Sequence, residues 1–269
     1  MSWNFHTNQA ESYEAYLVPT IFVPFTDALI SSAGLRSGER LLDVACGTGI
    51  VSRMAAPIVG NSRSVVGLDI DRGMLEVARS VNTVQAGAIQ WLQGDVASMP
   101  LESASFDVAL CQAALQFFPD RPAALREIGR VLASTGRLIL SCFCAIERNP
   151  AFDALASALQ RHVGSEAAAM RHAIFAVGKL EELLGLLNKA GFIDNHPSLV
   201  RTTVRFPSPE DFLIRQIASQ SPWLIGQLDQ ATRVALVDEI DSSLADFVDG
   251  DGLAFPMEAH VVEAFRRVE

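Results

Sequence analysis

Between residues 39 and 145 short apolar runs alternate with stretches whose apolar residues recur every three to four positions. Residues 40–45 (Arg-Leu-Leu-Asp-Val-Ala) read as a buried strand, broken by the glycines at 47 and 49. A helix is expected over 50–58, closed by Gly60. A second strand is expected over 64–69, and Asp71 then caps a helix on which Met74, Leu75 and Ala78 share a face. Strands follow at 89–93 and 105–111. Asp120, with Pro122 just inside, starts a helix carrying Leu125, Ile128 and Leu132, and Gly136 turns the chain into a fifth strand at 137–143. Strand, helix, strand, repeated, predicts an α/β fold: a doubly wound parallel sheet with helices on both faces. Such sheets take ligands beyond the carboxyl ends of their strands.

Past residue 145 helices are expected over 150–160 and 179–189, the second stopped by Gly191. Residues 199–206 alternate like a strand. Ser208-Pro209-Glu210-Asp211 reads as a helix start, a further helix is expected over 230–248, and a last strand over 253–262. The organisation expected is a helical cap at 1–36, an α/β core at 37–146, a lid segment at 147–177, and completion of the sheet at 178–269 with a helical insertion at about 208–250.

Composition narrows the function. Of 269 residues, 49% are hydrophobic and 19% charged, which excludes disorder as the main state. The net charge of -10 argues against nucleic acid as the main partner and against an anionic membrane surface. The apolar stretch at 138–146 is about half of a membrane span, and no signal-like segment opens the chain. Cys46, Cys111, Cys142 and Cys144 form no Cys-x-x-Cys pair. Reduced core thiols, a cytoplasmic location and no metal site are expected.

The sharpest chemistry lies at Asp43-Val44-Ala45-Cys46-Gly47-Thr48-Gly49, a strand running into a glycine turn that opens a helix. Asp69 ends the next strand about 20 residues on, the spacing at which a carboxylate grips ribose hydroxyls. The dinucleotide pattern asks for a third glycine, and that place holds Ser52, so the pyrophosphate reading is defective.

Four segments resemble the class I S-adenosylmethionine-dependent methyltransferases, in particular the small-molecule branch that includes quinone-biosynthesis C-methyltransferases. They are residues 43–49; Gly67-Leu68-Asp69-Ile70-Asp71 with Met74-Leu75; Gln93-Gly94-Asp95-Val96 with Met99-Pro100-Leu101 and Ser105-Phe106-Asp107; and Arg130-Val131-Leu132 with Gly136-Arg137-Leu138. The resemblance implies a mostly parallel seven-stranded sheet, with strand seven antiparallel between strands five and six and helical lid insertions. It implies S-adenosyl-L-methionine as cofactor, with Ala45, Gly47 and Thr48 against its methionine part and Asp69 on the ribose. Ile70 and Met74 would cover the adenine face. Asp95 and the Val96 amide would meet the adenine edge, and the backbone at Cys111 and the side chain of Gln112 the methionine end.

Tyr13, Tyr16 and Gln116 are the substrate-side candidates, Gln116 standing where many relatives carry histidine. Of His6, His162, His172, His196 and His260, two (His162 and His172) fall in the expected lid, and no base is assigned. The expected reaction is methyl transfer to a small, rather apolar acceptor. A nicotinamide-dependent oxidoreductase and a silent cofactor-binding partner protein stand as alternatives.

Overall fold

The computed structural model describes residues 8–60, 65–81 and 89–266. His6, the start of the expected cap and position 64 of the expected second strand lie outside these residues. Strands β1 (Leu41–Val44), β2 (Val65–Asp69), β3 (Gln90–Gln93), β4 (Phe106–Gln112) and β5 (Leu132–Phe143) pair in parallel in the order β3-β2-β1-β4-β5. Two long strands, β6 (Phe192–Phe206) and β8 (Gly252–Arg266), complete the sheet, with β8 antiparallel between β5 and β6. The two-residue β7 (Val248–Asp249) pairs only with β8, off the seven-strand path.

The period of two sorts side chains to the two faces of the sheet. Leu41, Val65, Val108 and Ile139 pack beneath Leu29, Val51, Ala55 and Val59. These last four come from α2 (Val23–Ala33) and α3 (Ile50–Val59). Leu42, Val66, Ala109 and Leu138 pack on the other face against Leu125, Ile128, Leu183 and Leu187. Those belong to α5 (Arg121–Val131) and α8 (Leu180–Lys189). Both faces of β1, β2 and β4 are covered, so these strands read as nearly continuous apolar runs.

A third core gathers α6 (Pro150–His162), α7 (Ser165–Ala173), α9 (Pro209–Gln220) and α10 (Gln230–Ser243) around the ends of β5, β6 and β8. Its centre is aromatic: Phe152 lies edge-on to Phe212 and Phe255, at centroid distances of 5.4 and 6.2 Å. α9 and α10 sit in the connection between β6 and β8, and so interrupt what would otherwise be a tight hairpin. The segment carrying α6 and α7 leaves and rejoins the sheet at one place. The Ala145 N–H donates to the Gly178 carbonyl (3.1 Å), and buried Asn149 donates to the carbonyls of Cys144 and Ala145.

The N-terminal part is one helical run, Gln9–Ala33: α1 (Gln9–Ser12), a π-helical stretch at Tyr13–Phe22, then α2. By length and composition alone it could cross a membrane. Here Leu17, Ile21, Phe25 and Leu29 are buried against the sheet and the third core.

Three expected boundaries are corrected. β6 begins at Phe192 rather than 199. Its first half is an exposed edge with a register shift between Ile193 and His196 and Asp194 at φ +54°, so no apolar alternation marks it. The helix expected over 230–248 stops at Ser243, followed by a 3₁₀ turn at Ala245–Phe247. β5 begins at Leu132, where a shifted register lets it pair with Phe106 ahead of Gly136.

Gly49 shows how tightly the first turn is built. It adopts φ +84°, and a Cβ there would lie 2.2 Å from the Trp91 indole. Gly49→Ala therefore combines left-handed strain of about 1 kcal/mol or more with a ring that must move. Its thermal midpoint should fall by several degrees. A midpoint unchanged from the wild type would show that Trp91 yields freely.

Candidate active site

The carboxyl ends of β1, β2 and β4 open onto a cavity of about 540 Å³. Its wall brings together Ala45, Gly47, Asp69, Ile70, Met74, Asp95, Val96 and Gln112, with Tyr13 closing it from the N-terminal helix. Three of the residues singled out from sequence lie elsewhere. Thr48 is buried behind the turn, its carbonyl accepting from Arg53. Cys111 is buried, and desolvation raises its thiol pKa well above the ordinary range. Tyr16 is absent from this cavity and from its neighbour; the Arg215 guanidinium lies over its ring at 5.3 Å. For Cys111 the expectation concerned the backbone, and the buried thiol does not bear on it.

Asp69 is the organising group. Its Oδ2 accepts from the Gly47 N–H (2.7 Å) and its Oδ1 from the Asp71 N–H (2.8 Å). One carboxylate thus ties the glycine turn to the end of β2. Each oxygen keeps a second lone-pair site for a hydroxyl donor. Burial raises its pKa, opposed by the backbone hydrogen bonds from Asp71 and Gly47. Asp71 caps α4 (Arg72–Ser80) through the N–H groups of Gly73 and Met74, which holds Met74 against the cavity. Asp95 is exposed and accepts from the Ala97 N–H (2.9 Å). Gln112 is spent on anchoring: its amide donates to the Phe22 carbonyl (3.1 Å) and its oxygen accepts from Thr26 (2.8 Å).

Asp43 lies beneath the turn. It is fully buried, and its Oδ2 accepts from both the N–H and the hydroxyl of Ser52. Desolvation pushes its pKa up to about 7, against the pull of the Ser52 bonds and with the help of Asp69. A carboxyl whose pKa is raised on folding holds its proton in the native state where the unfolded chain has lost it. Its contribution to stability is full below the unfolded value and is lost as pH rises through the folded one. Wild type should therefore gain stability relative to Asp43→Asn as pH falls from 8 toward 5, with a limiting slope of about 1.4 kcal/mol per pH unit. Parallel melting curves for the two proteins across that range would contradict this.

A second cavity of about 320 Å³ adjoins the first. Tyr13, Met74, Ala113 and Phe117 line both. Its remaining wall is mostly apolar, including Ile21, Phe143, Phe152 and Met257, with Gln9, Gln116, Ser219 and Gln220 as polar exceptions. Gln116 is buried; its amide donates to the Ala113 carbonyl (2.8 Å), and its Oε1 has no hydrogen-bond partner among the described residues. Tyr13 packs on Phe22 at 5.0 Å. Desolvation, then the charges of Glu14, Asp69 and Asp43, push its hydroxyl pKa far above the usual tyrosine range, so it stays protonated.

The expected-lid histidines do not reach either cavity. His162 sits 2.6 Å from Glu239 on α10, and His172 lies on the outer side of α7. Sequence reasoning passed over Ala113, which turns the chain after β4 at φ +48°, and Ser219 and Gln220 at the end of α9. No spacing rule singles out a serine or glutamine of a helix end, so no signal was there to find.

Residues 42–140 match the family model described as a methyltransferase domain. The chain is 35% identical over 119 residues to a malonyl-[acyl-carrier protein] O-methyltransferase of Serratia marcescens, covering 44% of each protein. It is 38% identical over 113 residues to a ubiquinone/menaquinone biosynthesis C-methyltransferase of Ectopseudomonas mendocina, 41% of this chain and 44% of that protein. The match thus spans less than half the length of these curated relatives.

A solved structure of a putative methyltransferase from Bacillus halodurans shares the fold at a TM-score of 0.60 and 24% identity, covering 89% of this chain and 97% of the other. A Haemonchus contortus phosphoethanolamine N-methyltransferase, solved with S-adenosylhomocysteine, shares it at 0.61 and 20%, over 96% of this chain and 57% of the other. The matched residues 42–140 contain all four of the segments that resemble class I S-adenosylmethionine-dependent methyltransferases.

Proposed function

We propose that the protein moves a methyl group from S-adenosylmethionine to a small-molecule acceptor, in the cytoplasm. The observation that carries this is the pair of adjoining cavities sharing Tyr13, Met74, Ala113 and Phe117. One is lined by residues of three of the four family-like segments; the other is mostly apolar and of a size for one or two rings. The residues fit the cofactor, for Asp69 offers unspent acceptor sites beside a turn free of side chains at Gly47 and Gly49. When bound, the cofactor supplies an already activated sulfonium methyl.

The chain's own part is positioning and the exclusion of water. Asp69 and Asp95 would hold the nucleoside end, with Ile70 and Met74 on the adenine faces. Tyr13 and Phe117 would shape the passage between the cavities. The helices α6, α7, α9 and α10 would form the lid over the acceptor. Gln116 would orient the acceptor through its unpartnered Oε1, and no residue is assigned as a base. Neither alternative reading finds support. The third-glycine place of the dinucleotide pattern is Ser52, whose N–H and hydroxyl are both engaged by Asp43.

Isothermal calorimetry should show S-adenosylhomocysteine binding at least tenfold more tightly than a nicotinamide dinucleotide. The reverse order would refute the reading. Methyl transfer from labelled S-adenosylmethionine into a metabolite pool would then identify the acceptor.

A further inference from the structure

α7 carries a buried cation with no anionic partner. Arg171 is 0% exposed. One Nη donates to Gln220 Oε1 (2.5 Å) and the other to Ser221 Oγ (2.7 Å), both neutral. Its Nε has no hydrogen-bond partner among the described residues. Desolvation alone lowers its pKa to about 10, with no carboxylate contributing, so it remains charged at neutral pH. Other enclosed arginines of the fold are paired, Arg137 with Glu39 and Arg53 with Glu14. A buried charge left without a counter-charge is costly, and such charges are retained where something pairs them.

The surroundings of Arg171 are short of acceptors as well. Its helix neighbours Met170 and Ile174 line the apolar cavity, as do Ser219 and Gln220 of α9. The Ser219 hydroxyl is buried, and its oxygen has no partner among the described residues. The Gln220 amide donates to Gln216 Oε1 (3.3 Å), and the buried Gln216 Nε2 finds no acceptor among the described residues. One wall of a mostly apolar cavity thus holds the Ser219 hydroxyl and the Gln220 side chain, with the Arg171 guanidinium one hydrogen bond behind Gln220.

Resting on the methyltransferase reading, we propose that the acceptor carries a carboxylate on a largely apolar body, seated against Ser219 and held by the charge of Arg171. Ser219 would donate directly to the carboxylate. Arg171 would supply the compensating charge from behind Gln220, and the apolar remainder of the molecule would reach toward Tyr13 and Phe117.

The test uses the full chain loaded with S-adenosylhomocysteine, whose own affinity is measured first. Binding of 4-hydroxybenzoate is compared by calorimetry with that of 4-hydroxybenzamide. The 6-hydroxy-2-naphthoate and naphthamide pair repeats the comparison with a larger body. Wild type should bind at least one acid tenfold more tightly than its amide. Arg171→Met should bring that ratio to near one, Arg171→Lys should preserve most of it, and S-adenosylhomocysteine affinity should stay unchanged in both. Amides bound as tightly as acids, no binding of either acid, or a preference that survives Arg171→Met would each overturn the proposal. If Arg171→Met fails to fold, the wild-type ratio and Arg171→Lys still decide it. Failure of wild type to bind S-adenosylhomocysteine would instead refute the methyltransferase reading.

Discussion

A chain ending at Val248 should not fold. It keeps β1 to β6 and every helix, yet loses β8, which pairs with β5 from Arg137–Phe265 to Phe143–Ala259 and with β6 from Phe192–Arg266 to Phe206–Leu253. Both flanking strands would be left with open edges. The strand also buries Leu253, Phe255, Met257, Val261 and Val262. Phe255 alone contacts Phe152, Phe206 and Phe212. Each of these side chains is worth about 1.5–3 kcal/mol of burial, and the five together are comparable with the whole net stability of a typical domain, roughly 5–15 kcal/mol, before the lost strand pairing is counted. The expected outcome is an insoluble or non-cooperatively melting product. A soluble, sharply melting protein that still binds S-adenosylhomocysteine would show that β8 is dispensable.

Asp69→Ala should lower S-adenosylhomocysteine affinity at least tenfold while the fold survives. The substitution removes two effects at once. The acceptor sites for the ribose hydroxyls go, each hydrogen bond to a charged group being worth about 1.5–3 kcal/mol. The tie from Asp69 Oδ2 to the Gly47 N–H goes too, so the turn loses the bond that fixes its distance from β2. Removing a buried carboxylate whose pKa is already raised relieves desolvation, which offsets part of the structural loss. Calorimetry on the variant, with circular dichroism to show that it is folded, measures the effect. Unchanged affinity would remove Asp69 from the site.

Much of this was legible along the chain for physical reasons. A strand buried on both faces must be apolar throughout, so β1, β2 and β4 stand out as runs, and helices with one buried face show their period. The co-substrate wall follows from that frame, because strand ends and the glycine turn locate it once the strands are known. Other features leave weaker traces. The first half of β6 is an exposed edge passing through Asn195-His196-Pro197, and nothing there selects apolar residues. Thr48 and Cys111 belong to the motif segments, but their side chains are buried, which motif spacing does not reveal. The acceptor cavity draws on α1, α6, α7, α9 and β8, so its polar wall exists only in the tertiary structure. Arg171 in particular, followed by His172, reads along the chain as an ordinary solvated face, and only its burial sets it apart.

The anchoring of the α6–α7 segment bears on how acceptor choice can diverge. Ala145 and Gly178 meet so closely that a Cβ on Gly178 would lie 2.3 Å from the Ala145 nitrogen. Asn149 reinforces the junction by also accepting from the Glu258 N–H (2.9 Å) on β8. A segment whose two ends touch at a fixed point can change length or sequence without moving the strands that carry it. The entropic cost of enlarging such a closed segment is small, about 0.6 kcal/mol for each doubling of length. The stretch from Ile146 to Val177 is therefore closed at the sheet, and a replacement for it must refill the places of Phe152 and Phe175 against Phe212, Phe255 and Phe143. Grafting a different segment with those contacts kept between Ala145 and Gly178 would alter what Phe152, Met170 and Ile174 present to the second cavity while leaving Asp69 and the glycine turn where they are.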